Sequence, residues 1–319
     1  MRALSSFLFL LAISLSAPAW ADDLPSGTIK IVVPFGPGGT GDLAARAIGQ
    51  KLSESVGRPV IIENSVSAFG IKAAQTVAQS TPDGSAILLG GGISAISPLL
   101  HKSLPYDQAD FTWVSMIGYF SFVLIVDANS SLKTVEDVIA AAKKDPAEFN
   151  FGSIAVGGIP HLSLLLFKNM AGLTAPIVTY RSTGEVVVAL KSGQVQVAIE
   201  ALPGVSGQLQ SGNLRAIAVA APKPVAQLPG VPTISDSGLP GYDVVGWNAL
   251  SVPAKTPRSI VNRLNREIKS ALQAPEVRKK MEALGLDPAA SAPEEVQSIF
   301  NGDMQKWRAV IEKSDIKMQ

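Results

Sequence analysis

Residues 33–42 read "VPFGPGGTGD", between the apolar run "IKIVV" and the helical pattern "LAARAIGQKL". Gly36, Gly38 and Gly41 spell G-x-G-x-x-G, and Glu63 closes the next strand-like run about twenty residues on, which is the spacing of a dinucleotide fingerprint. A glycine-rich turn before a helix exposes backbone N–H groups at the positive end of the helix dipole. It attracts an anion without specifying which one.

The start of the chain bears on the choice. Arg2, the apolar stretch "ALSSFLFLLAISLS" and Ala19-Trp20-Ala21 have the order of a secretory leader cleaved after Ala21. Its apolar core, about fourteen residues, falls short of the roughly twenty that span a bilayer. Leader removal deletes one base and no acid, taking 27 Lys and Arg against 26 Asp and Glu to 26 against 26. A neutral chain lacks the basic surplus that nucleic acid demands. An exported chain does not meet NAD, and Asp42 stands where a phosphate-binding loop places Lys. These observations count against a dinucleotide and for a smaller anion. An NAD-dependent oxidoreductase remains the alternative.

Other chemistries lack raw material. Cysteine is absent, and the only histidines, His101 and His161, are far apart and outside any H-E-x-x-H spacing. No G-x-S-x-G elbow occurs. The residues therefore predict no metal and leave little material for a hydrolase.

Along the rest of the chain, "TIKIVVPF", "RPVIIEN", "SAILLGG", "FNFGS", "APIVTY", "VQVAIEA" and "LRAIAVAA" read as strands bounded by Gly, Pro or Asn. Helical stripes lie between them, at 43–54, 135–144, 161–171 and 186–191. The alternation predicts an α/β protein with mostly parallel sheets and ligand sites at strand C-termini. "FNFGSIAVGGIPHLSLLLFKNMAG" repeats the strand, glycine loop and helix of the first unit, so two α/β domains are expected. The runs "SFVLIVDAN" and "VVGWNALSVPA" would cross between them. Three helices without a strand follow, at 257–273, 275–284 and 293–313, and residues 222–240 are too rich in Pro for regular structure. The expected division is 22–121 with 251–319 for the first domain and 122–250 for the second.

Several stretches together resemble one family: "VPFGPGGTGDLAARAIGQKLSESVGRPVIIEN", "STPDGSAILLG", "LPYDQADFTWVSMIG", "PHLSLLLFKNMAG", "LPGVPTISDSGLPGYDVVGW" and "APEEVQSIFNGDMQKW". Over essentially the whole mature chain they are similar to the extracytoplasmic solute-binding receptors of tripartite tricarboxylate transporters, the Bug proteins. The resemblance implies a periplasmic, monomeric two-domain flytrap that captures a small carboxylate and delivers it to integral-membrane permease subunits, or to a sensor kinase. It implies no enzyme activity, no cofactor and no nucleic acid partner. It places Gly38, Gly39, Thr40 and Gly41 in one jaw and Gly157, Gly158 and Ile159 in the other. Ile93, Ser94, Arg181, Ser182 and Glu200 would line the cleft. The second loop departs from the family's usual G-S-A-G-x-G-S by carrying Ile154, Ala155, Val156 and Ile159, Glu200 stands where Asp is common, and "GGGIS" replaces a Thr-rich turn. An apolar second loop beside a carboxyl predicts a ligand with one or two carboxylates and an apolar or aromatic body, and weak binding of citrate.

Overall fold

The structure is a computed structural model that describes Leu24, residues 26–314 and Ile316. The expected leader lies outside the described residues. From the first glycine loop onward the order is β1 (Ile29–Val33), α1 (Thr40–Val56), β2 (Val60–Asn64), α2 (Ile71–Ala78), β3 (Ala86–Gly91) and α3 (Gly92–Leu100). Then β4 (Phe111–Asp127) leads to α4 (Val135–Lys144), β5 (Phe151–Ile154), α5 (Ile159–Ala171), β6 (Ile177–Tyr180), α6 (Thr183–Lys191), β7 (Val197–Ala201), α7 (Leu202–Gln210) and β8 (Leu214–Val219). The chain closes with β9 (Val245–Pro253), α8 (Arg258–Gln273), α9 (Pro275–Ala283), the two-residue β10 (Asp287–Pro288) and α10 (Pro293–Glu312).

Strand pairing divides these elements into two lobes of one design. In the first lobe the order is β2-β1-β3-β9-β4, with β10 on the outer edge of β4. In the second it is β6-β5-β7-β4-β8. Each lobe has three parallel strands, then an antiparallel strand inserted in fourth place, then a further antiparallel partner. The inserted strand is β9 in one case and β4 in the other, so each crossing completes a sheet. β4 serves both lobes along its length. Phe111–Ser121 pair with β9, and Phe122–Ile125 pair with β7.

The cores follow from patterning. On α1, Ala44, Ala47, Ile48 and Leu52 recur at helical spacing and bury against Ile31, Val33, Ile87 and Leu89. On α8, Ile260, Val261, Leu264, Ile268 and Leu272 join the same cluster. Each such side chain contributes about 1.5–3 kcal/mol by leaving water. The last helix belongs to both lobes: Val296 and Phe300 pack with Trp113 and Trp247, while Trp307, Val310 and Ile311 pack with Phe122, Leu124 and Leu162. A helix of this length is about 30 Å long, enough to reach across.

The Pro-rich stretch 222–240 forms neither helix nor named strand, as its punctuation suggests. Such punctuation reads as a surface loop, but Ile234 and Leu239 within the stretch, and Tyr242 just beyond it, are buried in the second core. The Tyr242 hydroxyl donates to the Ser163 carbonyl of α5 at 2.9 Å, and complete burial pushes its phenol pKa far up.

Candidate functional site

The loop between β1 and α1 is held by one carboxylate. Asp42, only 1% exposed, accepts from the Gly38 N–H at 2.9 Å, from Arg46 Nε at 2.9 Å and from Asn64 Nδ2 at 2.9 Å. Asn64 also donates to the Phe35 carbonyl. Burial pushes the Asp42 pKa up, but hydrogen bonds from Arg46, Gly38 and Asn64 outweigh it and hold the group below the ordinary carboxylate range. Gly38 sits at φ 81°, where a side chain would be strained. The Gly39 N–H turns back to the Gly36 carbonyl at 3.2 Å.

Two of the four expected first-jaw N–H groups, those of Gly38 and Gly39, are therefore used within the loop. The first helical return is Leu43 N–H to Gly39 O at 2.9 Å, so the N–H groups of Thr40, Gly41 and Asp42 precede the ladder and have no acceptor within the helix. They form the anion-attracting end of α1. A Cβ on Gly41 would lie 2.6 Å from Leu89 Cδ2 and 2.8 Å from the Phe35 ring, so any side chain there would have to displace both. Asp42→Asn, which cannot satisfy all three donors, is expected to cost about 1–2 kcal/mol. Denaturant unfolding of the variant checks this, and an unchanged midpoint would remove Asp42 from its bracing role.

The second loop is built to the same plan. Gly157 has φ 79°, and the capping glycines match, Gly39 at φ −69°, ψ 160° and Gly158 at φ −66°, ψ 162°. Gly158 N–H donates to the Ala155 carbonyl at 2.9 Å, as Gly39 does to Gly36. Where Gly38 donates to the side chain of Asp42, Gly157 donates to Nδ1 of His161 at 3.3 Å. His161 is thus a brace. Its ring accepts at Nδ1, so it is neutral with the proton on Nε2, and burial, aided by Lys168, brings its pKa down to about 4. Leu162 N–H makes the first return, to Gly158 O. Pro160 has no N–H, which leaves Ile159 and His161 as the donors ahead of the ladder.

The second loop meets the first lobe directly. A Cβ on Gly157 would lie 2.4 Å from Leu100 Cδ1 and 3.4 Å from Phe69 Cζ, and one on Gly92 would lie 2.7 Å from Ile159 Cδ1. Phe69 holds φ 52° and packs edge-on against His101 at 5.0 Å. A non-glycine residue there is strained by about 1–2 kcal/mol. Its ring is one of the apolar groups at the junction of the lobes.

The remaining expected residues divide. Glu200, 1% exposed near the end of β7, takes the Thr183 hydroxyl on Oε2 at 2.8 Å and has no partner on Oε1. Burial raises its pKa to about 7, against the lowering effect of the Thr183 bond. Arg181 does not pair with it. The Arg181 side chain is 94% exposed, lies 3.7 Å from Glu185, and its N–H donates to the same carboxylate. Ser182 caps α6 by accepting from the Glu185 N–H at 3.3 Å. Ile93 is half-buried in the first turn of α3. Ser94 accepts from the Gly91 N–H at 3.4 Å and faces a recess lined by Tyr106, Trp113 and Phe300. That recess lies on the sheet face opposite α1.

Two residues escape the sequence reading. Thr183 is the partner of Glu200, and only the packing of α6 on β7 reveals it. Asn248 is 3% exposed with no partner for its Nδ2, and its one signal is a polar letter inside an apolar strand.

Two lobes built on the same topology, with the first turns of α1 and α5 at the C-terminal ends of parallel strands, make a periplasmic-binding-protein fold with its ligand cleft between lobes. Residues 44–316 match the tripartite tricarboxylate transporter family receptor, TctC, and the chain belongs to that family of solute-binding receptors. It is 32% identical to protein BugT of Bordetella pertussis over 315 residues, covering 98% of this chain and 97% of that one. Among solved structures, R. palustris Rpa4515 with adipate is 33% identical, with a TM-score of 0.83 over 91% of this chain and 98% of that one. MatC (Rpa3494) from Rhodopseudomonas palustris with bound malate is 28% identical, with a TM-score of 0.79 over 90% of this chain and 99% of that one. The dinucleotide alternative is set aside. Strand β9, antiparallel beside β3, occupies the place where a dinucleotide fold continues in parallel.

Proposed function

We propose that this chain captures a small carboxylate between its lobes and delivers it to the integral-membrane subunits of a tripartite transporter, or to a sensor kinase. The observation that carries this reading is the pair of matched loops. In each, the glycine N–H groups are spent on internal bonds and the first helical N–H groups are left for an anion. Adipate and malate in the related structures give that anion its class. Nearby arginines are engaged elsewhere, Arg46 by Asp42 and Arg181 by Glu185, so the grip runs through backbone donors and the helix ends. The leader 1–21 would place the receptor in the periplasm. The strand pairing favours moving residues 245–250 from the second lobe to the first, placing the second crossing a few residues earlier than the composition does.

The second jaw argues for ligand type. With Ala155, Val156, Ile159 and Pro160 in it, this loop offers two N–H donors and an apolar surface. A third carboxylate would be buried without donors, which costs several kcal/mol. The test is a thermal melt with adipate, malate, benzoate and citrate. A ligand at a hundredfold excess over Kd adds about 2.7 kcal/mol, a shift of several degrees, and one of the first three is expected to give it. No shift with any carboxylate would refute the receptor reading, and the largest shift with citrate would refute the ligand type.

A further inference from the structure

Asn248 and Ser251 are the two buried polar side chains of β9, among Trp247, Ala249, Leu250 and Val252. Ser251, whose Oγ is also unpartnered, pairs with Leu88 and lines the recess on the face away from α1. Asn248 pairs in register with Gly91, the last residue of β3. Side chains alternate along a strand, so Leu89 and Gly91 share a face. On that face Leu89 Cδ2 lies 2.6 Å from where a Cβ on Gly41 would stand. The face therefore runs up beneath the first turn of α1. The room beside Gly91 is taken by the Trp247 carbonyl oxygen, 2.5 Å from where a Cβ would stand, and Asn248 Oδ1 lies 3.8 Å from the same point, so the amide stands next to Gly91, one step beyond Leu89 toward the cleft. Its Nδ2 is buried with nothing to donate to. An unpaired buried donor is destabilising and calls for a reason.

We propose that Asn248 Nδ2 is a ligand donor, adding a side-chain hydrogen bond to the carboxylate oxygen that the Thr40 and Gly41 N–H groups attract. This rests on the carboxylate reading above. The amide nitrogen would add one donor to the backbone donors at the lobe-1 end of the cleft. Because Asn248 lies on the strand that returns from the second lobe, the ligand would bond the crossing itself as well as the jaw.

The role has a signature that a structural amide lacks, since stability and affinity move in opposite directions. Titration calorimetry with adipate and melting of the free protein are compared for the wild type, Asn248→Leu and Asn248→Asp. Asn248→Leu is expected to melt higher than the wild type when free and to bind adipate roughly 10- to 150-fold more weakly, the range for a hydrogen bond to a charged group. Asn248→Asp is expected to lose more affinity, because a carboxylate would face a carboxylate. If adipate binds the wild type and Asn248→Leu equally, or if Asn248→Leu melts lower with affinity unchanged, Asn248 is structural and the assignment fails. A wild type that binds none of the carboxylates overturns the receptor reading, and this inference with it.

Discussion

Thr40→Pro is expected to weaken carboxylate binding by roughly 10- to 150-fold, about 1.5–3 kcal/mol, while the free protein melts within a few degrees of the wild type. Thr40 is the first helical residue after its cap, Gly39, and Pro is well tolerated there because the N–H it lacks has no helical acceptor. Gly39 already has the extended geometry, φ −69° and ψ 160°, that a residue before Pro prefers. The substitution thus deletes the backbone donor together with the hydroxyl and leaves the helix standing. Thr40→Val, which keeps the N–H and drops the hydroxyl, separates the two donors, and its loss should be smaller. Calorimetry with adipate reads both variants. Equal affinity in Thr40→Pro and wild type, with matching circular dichroism, would move the ligand away from α1.

A second large effect comes from two buried titrating groups in the second lobe whose contributions oppose each other. Glu200 has its pKa raised from 4.5 to about 7. Its contribution to stability is therefore full below pH 4.5 and is lost as pH rises through 7. His161 has its pKa lowered from 6.5 to about 4. Its contribution is full above pH 6.5 and is lost as pH falls through 4. The shifts correspond to on the order of 3 kcal/mol for Glu200 and about 2 kcal/mol for the less buried His161. Between pH 4.5 and 6.5 the two slopes largely cancel. Glu200→Gln removes one of them, so it should gain on the wild type steadily from pH 4.5 to 8, reaching on the order of 3 kcal/mol at the upper end. Urea unfolding of both proteins at pH 4.5, 6.5 and 8 measures the difference. A difference that does not change with pH would mean that Glu200 is solvated and ionised throughout.

The parts of the site legible in the sequence are those set by local chain chemistry. Glycines before an apolar helical stripe mark α1 and α5 because nothing else makes that turn so tightly, and the second loop advertises itself by repeating the first. Three short helices leave weaker marks. α3 is apolar around most of its circumference and contains Pro98, α7 contains Pro203, Gly204 and Gly207, and α2 has only eight residues. None shows a stripe long enough to register. Which N–H groups remain for a ligand was not legible either, since Gly38 and Gly39 look as available as Thr40 until Asp42 and Gly36 claim them. The pairing of Arg181 with Glu185 was visible as an i, i+4 spacing, whereas the partner of Glu200 depends on how α6 sits on β7. Asn248 offered one polar letter, and no sequence pattern says that its amide lacks a partner.

Each lobe borrows the strand that completes its sheet, and this constrains how the molecule assembles. Leu88 of β3 must wait for Ser251 of β9, and Val123 of β4 lies between strands that come later in the chain. Contacts so distant in sequence make folding slow, on the millisecond-to-second scale rather than in microseconds. Only the first lobe has to wait: its β9 and the helices α8 to α10 are made last, whereas every strand of the second sheet lies between residues 122 and 219, and α10 adds its Trp307 to that second core only at the very end. Synthesis therefore leaves the first lobe open while the second can form, and the last seventy-odd residues close the one and seal the other together.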